Sequence, residues 1–204
     1  MAVQVAKACD KYAEAEIDDY ARGYLERVVR ESIITKARLL HYCASGKAKP
    51  ESGDRAIDDW CSEHVDSSCL TGLTAPLYID EASLQSPRLP TKVKGPQLEP
   101  LLEVPAPPDT STGLYIHARD SSLFRVVIPP DQLAFQTGEV LQLITKGKFM
   151  AVPHFVRGSA RTVGSNTISR NTLAIFTQPN LNDVVDADKG ITFGEFTRQV
   201  TERF

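Results

Sequence analysis

The chain has 204 residues, 42% hydrophobic and 24% charged, the composition of a soluble globular protein with one sizeable core. A net charge of −3 gives no electrostatic reason to bind nucleic acid or an anionic membrane. No apolar run approaches the roughly 20 residues that span a bilayer. Residues 1 to 10 lack the continuous apolar stretch of a signal peptide, and the four cysteines include no C-x-x-C pair. A single cytoplasmic domain over residues 1–204 with free thiols is therefore expected.

Ile17, Ala21, Tyr24, Leu25, Val28, Val29 and Ile33 recur at three- and four-residue steps among charged residues, which predicts one long helix over 11–37. Residues 37–42 follow as a short apolar strand, and the polar, Gly-rich residues 44–54 as a loop. Beyond Leu70 the texture changes to short strands with turn signals between them. The predicted strands are Leu77-Tyr78-Ile79, then 113–118 and 123–128 joined by a turn at 119–122, then 133–136, 140–145, 149–156 and 172–177. Residues 86–108 hold seven of the 13 prolines and are expected to form an extended surface loop or an active-site cover. The chain closes with a short helix over 192–203, where Thr192 and Glu195 have the spacing of a capping box and Phe196 and Val200 share a face. Many short strands with little helix between them predict a mainly β fold, a jelly roll or related barrel, with the core over 38–178.

Two short stretches carry metal-ligand chemistry: His64-Val65-Asp66 and, far downstream, His154. Two residues apart on a strand, His64 and Asp66 project from one face. A second imidazole from a distant strand completes a facial triad that suits Fe(II) and leaves three positions open. The competing reading of His154 is a satisfied core histidine. His41 and His117 are not first-choice ligands, and Cys61 and Cys69 flank the His-Asp pair closely enough to put a thiol near the metal. Further on, Arg170 and Thr172 share one face of an apolar strand. A charged guanidinium entering a core needs an anion. The far carboxylate of 2-oxoglutarate would supply it, and an internal Asp or Glu is the alternative.

Taken in order, these phrases resemble a known family. They are Ala37-Arg38-Leu39-Leu40-His41-Tyr42, residues 60–66, Ser68-Cys69-Leu70-Thr71-Gly72-Leu73-Thr74, Gly113-Leu114-Tyr115-Ile116, residues 133–139, 153–158 and 168–176. From about residue 30 to 200 the chain resembles the core region of plant- and fungal-type isopenicillin N synthase-like iron(II)/2-oxoglutarate-dependent oxygenases. The resemblance implies a double-stranded β-helix (jelly roll) with Fe(II) held by His64, Asp66 and His154. It also implies 2-oxoglutarate as co-substrate, its far carboxylate on Arg170 and Thr172 with a hydroxyl from Tyr42. The implied reaction takes dioxygen and a small organic substrate, oxidises a C–H bond and releases succinate and carbon dioxide, with no nucleic-acid or membrane partner. Three features depart from the family pattern. His41-Tyr42-Cys43 stands where relatives often carry Asn-Tyr-Tyr, and the interval from His154 to Arg170 is long. Relatives usually also have a further N-terminal part before the long helix. A non-catalytic or truncated metal-binding or interaction paralogue is accordingly the alternative.

Overall fold

The computed structural model of the chain describes residues 1–42, 59–81, 102–107, 109–158 and 168–202. The predicted loop at 44–54, Cys43, and residues 86–101 and 108 of the Pro-rich stretch lie outside them.

In place of one helix over 11–37 there are two, α1 (Ala2–Glu16) and α2 (Tyr24–Glu31). The apolar periodicity runs through the break, so the sequence pattern alone cannot reveal it. Two local features make it. Gly23, at the N-cap of α2, has a left-handed φ of 63°. Asp10, buried in α1, accepts hydrogen bonds from the Leu25 and Glu26 backbone N–H groups at 2.9 and 2.7 Å and from the Tyr20 hydroxyl at 2.7 Å. A carboxylate at a helix N-terminus satisfies orphan donors and meets the positive end of the dipole. Here it comes from the preceding helix, and so α1 and α2 are locked together.

The strands follow. They are β1 (Lys36–Tyr42), β2 (Asp59–His64), β3 (Leu70–Thr74), β4 (Leu77–Asp80), β5 (Leu102–Val104), β6 (Gly113–His117), β7 (Leu123–Val126) and β8 (Leu133–Thr137). Then come α3 (Glu139–Ile144), β9 (His154–Arg157), β10 (Ile168–Thr177), β11 (Val184–Asp186), β12 (Ile191–Thr192) and α4 (Phe193–Thr201). Residues 140–145, expected as a strand, are instead α3: a short apolar run fits either period, and tertiary packing of Val140 and Leu141, both fully buried, decides for the helix. Within the Pro-rich stretch, Leu102–Val104 is not loop but an edge strand on β4, where proline neighbours are tolerated. The strand expected over 149–156 is shorter, beginning at His154. The capping box is present, with Glu195 N–H donating to Thr192 Oγ1 and Thr192 N–H donating to Glu195 Oε2.

All pairing in the two large sheets is antiparallel. The six-stranded sheet runs β5-β4-β10-β3-β8, with β1 also on β10, and the four-stranded sheet runs β2-β9-β6-β7. Their curled, facing arrangement is a jelly roll. β10 organises it: one edge pairs with the whole of β1, and the other pairs with β4 and then β3. The main hydrophobic core lies outside the roll, where α1, α2, α3 and α4 cover the β3–β8 end of the larger sheet through Leu25, Val28, Leu70, Val140, Leu141, Phe193 and Phe196. Burying each such side chain contributes about 1.5–3 kcal/mol. Strand alternation then turns the intervening residues inward: Phe135 packs on the helices, and Gln136 reaches Asp66 inside the roll. No helix among the described residues is long and apolar enough to cross a membrane.

Candidate metal centre and its cavity

A cavity of about 290 Å³ lies between the two sheets. His64, Asp66, His154, Arg170, Thr172 and Tyr42 all line it.

His64 ends β2 and pairs with His154 at the start of β9, so the two rings meet with centroids 4.3 Å apart. Asp66 is not on the strand, as the H-x-D spacing implies, but two residues past its end, in the connection to β3. It still converges: Asp66 Oδ1 is 3.7 Å from His64 Nε2 and 3.8 Å from His154 Nε2. Ligand atoms of the three side chains lie within 4.8 Å of one another. His117, 2.9 Å from Glu63, and His41, 2.6 Å from Asn171, belong to other contacts. Of the two flanking thiols, Cys69 is buried in the helical core, while Cys61 reaches the cavity with Sγ 3.8 Å from His64 Nδ1.

Neighbouring groups fix which atoms face inward. His64 Nδ1 lies 2.8 Å from the Ser62 carbonyl and His154 Nδ1 lies 3.0 Å from the Val152 carbonyl, so each Nδ1 donates and each Nε2 is the atom that, once deprotonated, offers a lone pair to a metal. Asp66 Oδ2 accepts from Thr71 Oγ1 at 2.6 Å and from Gln136 Nε2 at 3.2 Å, which leaves Oδ1 for the same point. The Gln136 amide also packs against the His154 ring. Sequence reasoning missed both positioning residues. Their strands were legible, but only the β3–β8 register, Thr71 opposite Gln136, brings them side by side under Asp66.

The Asp66 segment is gripped from behind. Its carbonyl accepts from Glu139 N–H at 2.7 Å, the Ser68 carbonyl from Val140 N–H at 3.3 Å and the Cys69 carbonyl from Gly138 N–H at 3.0 Å. The approach is so close that a Cβ on Gly138 would stand 2.2 Å from Ser68 O and 2.7 Å from Asp66 O, both backbone atoms. Gly138→Ala is therefore expected to cost about 1–3 kcal/mol of stability by overpacking. It should also weaken metal binding by roughly tenfold or more, as losses around a ligand shell do. Thermal unfolding and metal titration of the variant check both, and unaltered metal affinity would contradict the clamp.

The two imidazoles are electrostatically unlike. The Cys61 side chain, with the Ser62 carbonyl, pushes the His64 pKa up to about 9 against the effect of burial. Burial holds His154 below its ordinary value. Near neutral pH the metal-free site thus carries a proton on His64 that an incoming ion must displace. Metal affinity should accordingly rise about tenfold per pH unit from about pH 7, levelling near 9. Titration with Mn(II) at several pH values reads this directly; a flat dependence between pH 7 and 8 would exclude it.

At the other side of the cavity Arg170 is 4% exposed, and its Nε has no hydrogen-bond partner. The internal Asp or Glu pairing considered for it is not found among the described residues. Tyr42, opposite Arg170 in the β1–β10 register, contributes its ring: the guanidinium lies 5.6 Å from its centroid, and Trp60 stacks on Tyr42 at 5.7 Å. The Thr172 hydroxyl donates to the Thr74 carbonyl at 3.1 Å, which leaves its lone pairs free to accept. The chemistry of the donor set fits a divalent metal, and the buried Arg170 guanidinium, with its Nε unpartnered, fits an organic anion.

No family model matches the chain, and no curated protein matches its sequence. Solved structures do share its fold. A candidate oxygenase from Shewanella oneidensis superposes with a TM-score of 0.64 at 20% identity, over 99% of this chain and 59% of that one. A candidate 2OG-Fe(II) oxygenase family protein from Caulobacter crescentus gives 0.61 at 16% identity, over 98% and 54%. A full-length Neurospora crassa protein, in complex with alpha-KG, gives 0.55 at 15% identity, over 95% and 55%. The chain therefore spans little more than half the length of these structures.

Proposed function

We propose that the protein is an iron(II)- and 2-oxoglutarate-dependent oxygenase that oxidises a C–H bond of a small organic substrate and forms succinate and carbon dioxide. One observation carries this: a cluster of two Nε2 atoms and one carboxylate oxygen shares a single cavity with a buried arginine that has no anionic partner among the described residues. The alpha-KG complex of the Neurospora crassa protein, which has the same fold, is in keeping with it. The collinear sequence phrases support assignment to the isopenicillin N synthase-like class.

In this reading His64 Nε2, Asp66 Oδ1 and His154 Nε2 hold the iron, and Thr71 and Gln136 keep the carboxylate turned toward it. When bound, the iron would supply the redox chemistry between a 2-oxo acid and dioxygen. Arg170 receives the far carboxylate of 2-oxoglutarate through its fork, Thr172 adds its hydroxyl, and the Tyr42 ring braces the guanidinium. Leu40, Leu73, Leu114, Ile128 and Val156 line the remaining wall and exclude water. The test is turnover: aerobic protein with Fe(II) and 2-oxoglutarate should release succinate, and His154→Ala should not. Iron binding without any succinate, even across a broad substrate screen, would favour a metal-binding protein that does not catalyse.

A further inference from the structure

β1 and β10 form a floor whose inward residues come in rungs: Tyr42 opposite Arg170, Leu40 opposite Thr172, Arg38 opposite Ala174, and Lys36 opposite Phe176. All eight line the cavity. Phe176 also pairs with Thr71, which holds Asp66, so the Lys36–Phe176 end lies beside the metal ligands. Arg38 is four residues from Tyr42 along β1, about 13 Å at strand rise.

Lys36 and Arg38 are exposed to solvent and also line the cavity. Neither cation takes part in an ion pair among the described residues. The Arg38 guanidinium rests 5.3 Å from the centre of the Phe176 ring, which holds it in place without neutralising it. Lys36, Arg38 and Arg170 line the cavity against one carboxylate, Asp66, and a bound divalent ion would add further positive charge. A cleft of one sign with apolar walls concentrates ligands of the other.

Resting on the oxygenase reading above, we propose that the molecule oxidised is a small organic carboxylate with an apolar body. Its acid group is held by Arg38, with Lys36, at the end of the floor away from Arg170. Ala174, the smallest inward residue, leaves room over the central rung for the apolar part. The planar fork of Arg38 matches a carboxylate bidentately, and Lys36 adds a point charge.

The test is ligand-observed NMR on the full chain loaded with Zn(II), a redox-silent ion, and saturated with 2-oxoglutarate. Phenylacetate, phenyl phosphate and neutral phenylacetamide are the probes. Phenylacetate should bind at least about tenfold more tightly than the amide. That preference should fall below about threefold in Lys36→Gln/Arg38→Gln and persist in Lys36→Arg/Arg38→Lys, which keeps the charges. Equal binding of acid and amide, or a preference that survives the double Gln change, would overturn the proposal while 2-oxoglutarate binding stays intact. Phenyl phosphate binding tenfold tighter than phenylacetate would replace the carboxylate with a phosphate ester. Failure of 2-oxoglutarate itself to bind would overturn the underlying reading and the proposal with it.

Discussion

Replacing Arg170 by Leu is expected to separate stability from ligand binding: the ligand-free protein becomes more stable while 2-oxoglutarate affinity collapses. The guanidinium is 4% exposed, its Nε is unpartnered, and no ion pair with it exists among the described residues. A buried charge without an anion carries an uncompensated desolvation cost, and an apolar side chain relieves it. The same substitution strips a bound dicarboxylate of its charged partner. Truncating one member of a buried charge pair costs about 2–5 kcal/mol, a loss of roughly thirty- to five-thousand-fold in affinity. Thermal unfolding of the apo protein and 2-oxoglutarate titration of the metal-loaded protein read the two halves independently. A purely structural Arg170 would give the opposite pair: lower stability, unaltered affinity. Lys at this position keeps the charge and loses the fork, so it should recover only part of the binding.

Loss of either imidazole is expected to be more severe. With His64 or His154 changed to Ala, only one nitrogen and one carboxylate oxygen remain at the point where three ligand atoms now converge within 4.8 Å. Metal affinity should fall by at least about a hundredfold, beyond what losing a supporting hydrogen bond costs. The two variants should differ in their side effects. His154 is buried and packed against Gln136, so its removal opens a void there and leaves the Val152 carbonyl short of a partner. His64 is more exposed, with 44% of its side chain accessible, and its loss should leave stability nearly unchanged. Metal titration and thermal unfolding check this contrast, and equal destabilisation by both changes would argue against it.

Much of this was readable from residues because strand alternation is local. The inward placement of Arg170 and Thr172 follows from spacing, and the order of the phrases pointed to His64, Asp66 and His154 together, although Asp66 does not reach them by strand alternation. Other parts were hidden because they depend on long-range contacts. The break between α1 and α2 is made by the Asp10 carboxylate, which no periodicity in 11–37 can report. Residues 140–145 carry an apolar run too short to choose between helix and strand until Leu70 and Phe193 are packed against them. Asp66 leaves the strand yet reaches the metal position because the Gly138–Val140 backbone pins its segment, a contact across about seventy residues of chain. Thr71 and Gln136 became visible only once register set them side by side under Asp66, and Lys36 and Arg38 only once the β1–β10 pairing put them on the cavity floor.

The central claim, one cavity that chelates a 2-oxo acid on iron and anchors its far end on Arg170, is tested most directly without oxygen. Fe(II) is added to metal-free protein under anaerobic conditions, then 2-oxoglutarate, and the visible spectrum is recorded. The prediction is a charge-transfer band of the chelated 2-oxo acid that saturates at one equivalent of iron and is absent in His64→Ala. Iron that binds without producing the band would contradict the role given to Arg170 and Thr172, and failure to bind iron at all would contradict the metal centre itself.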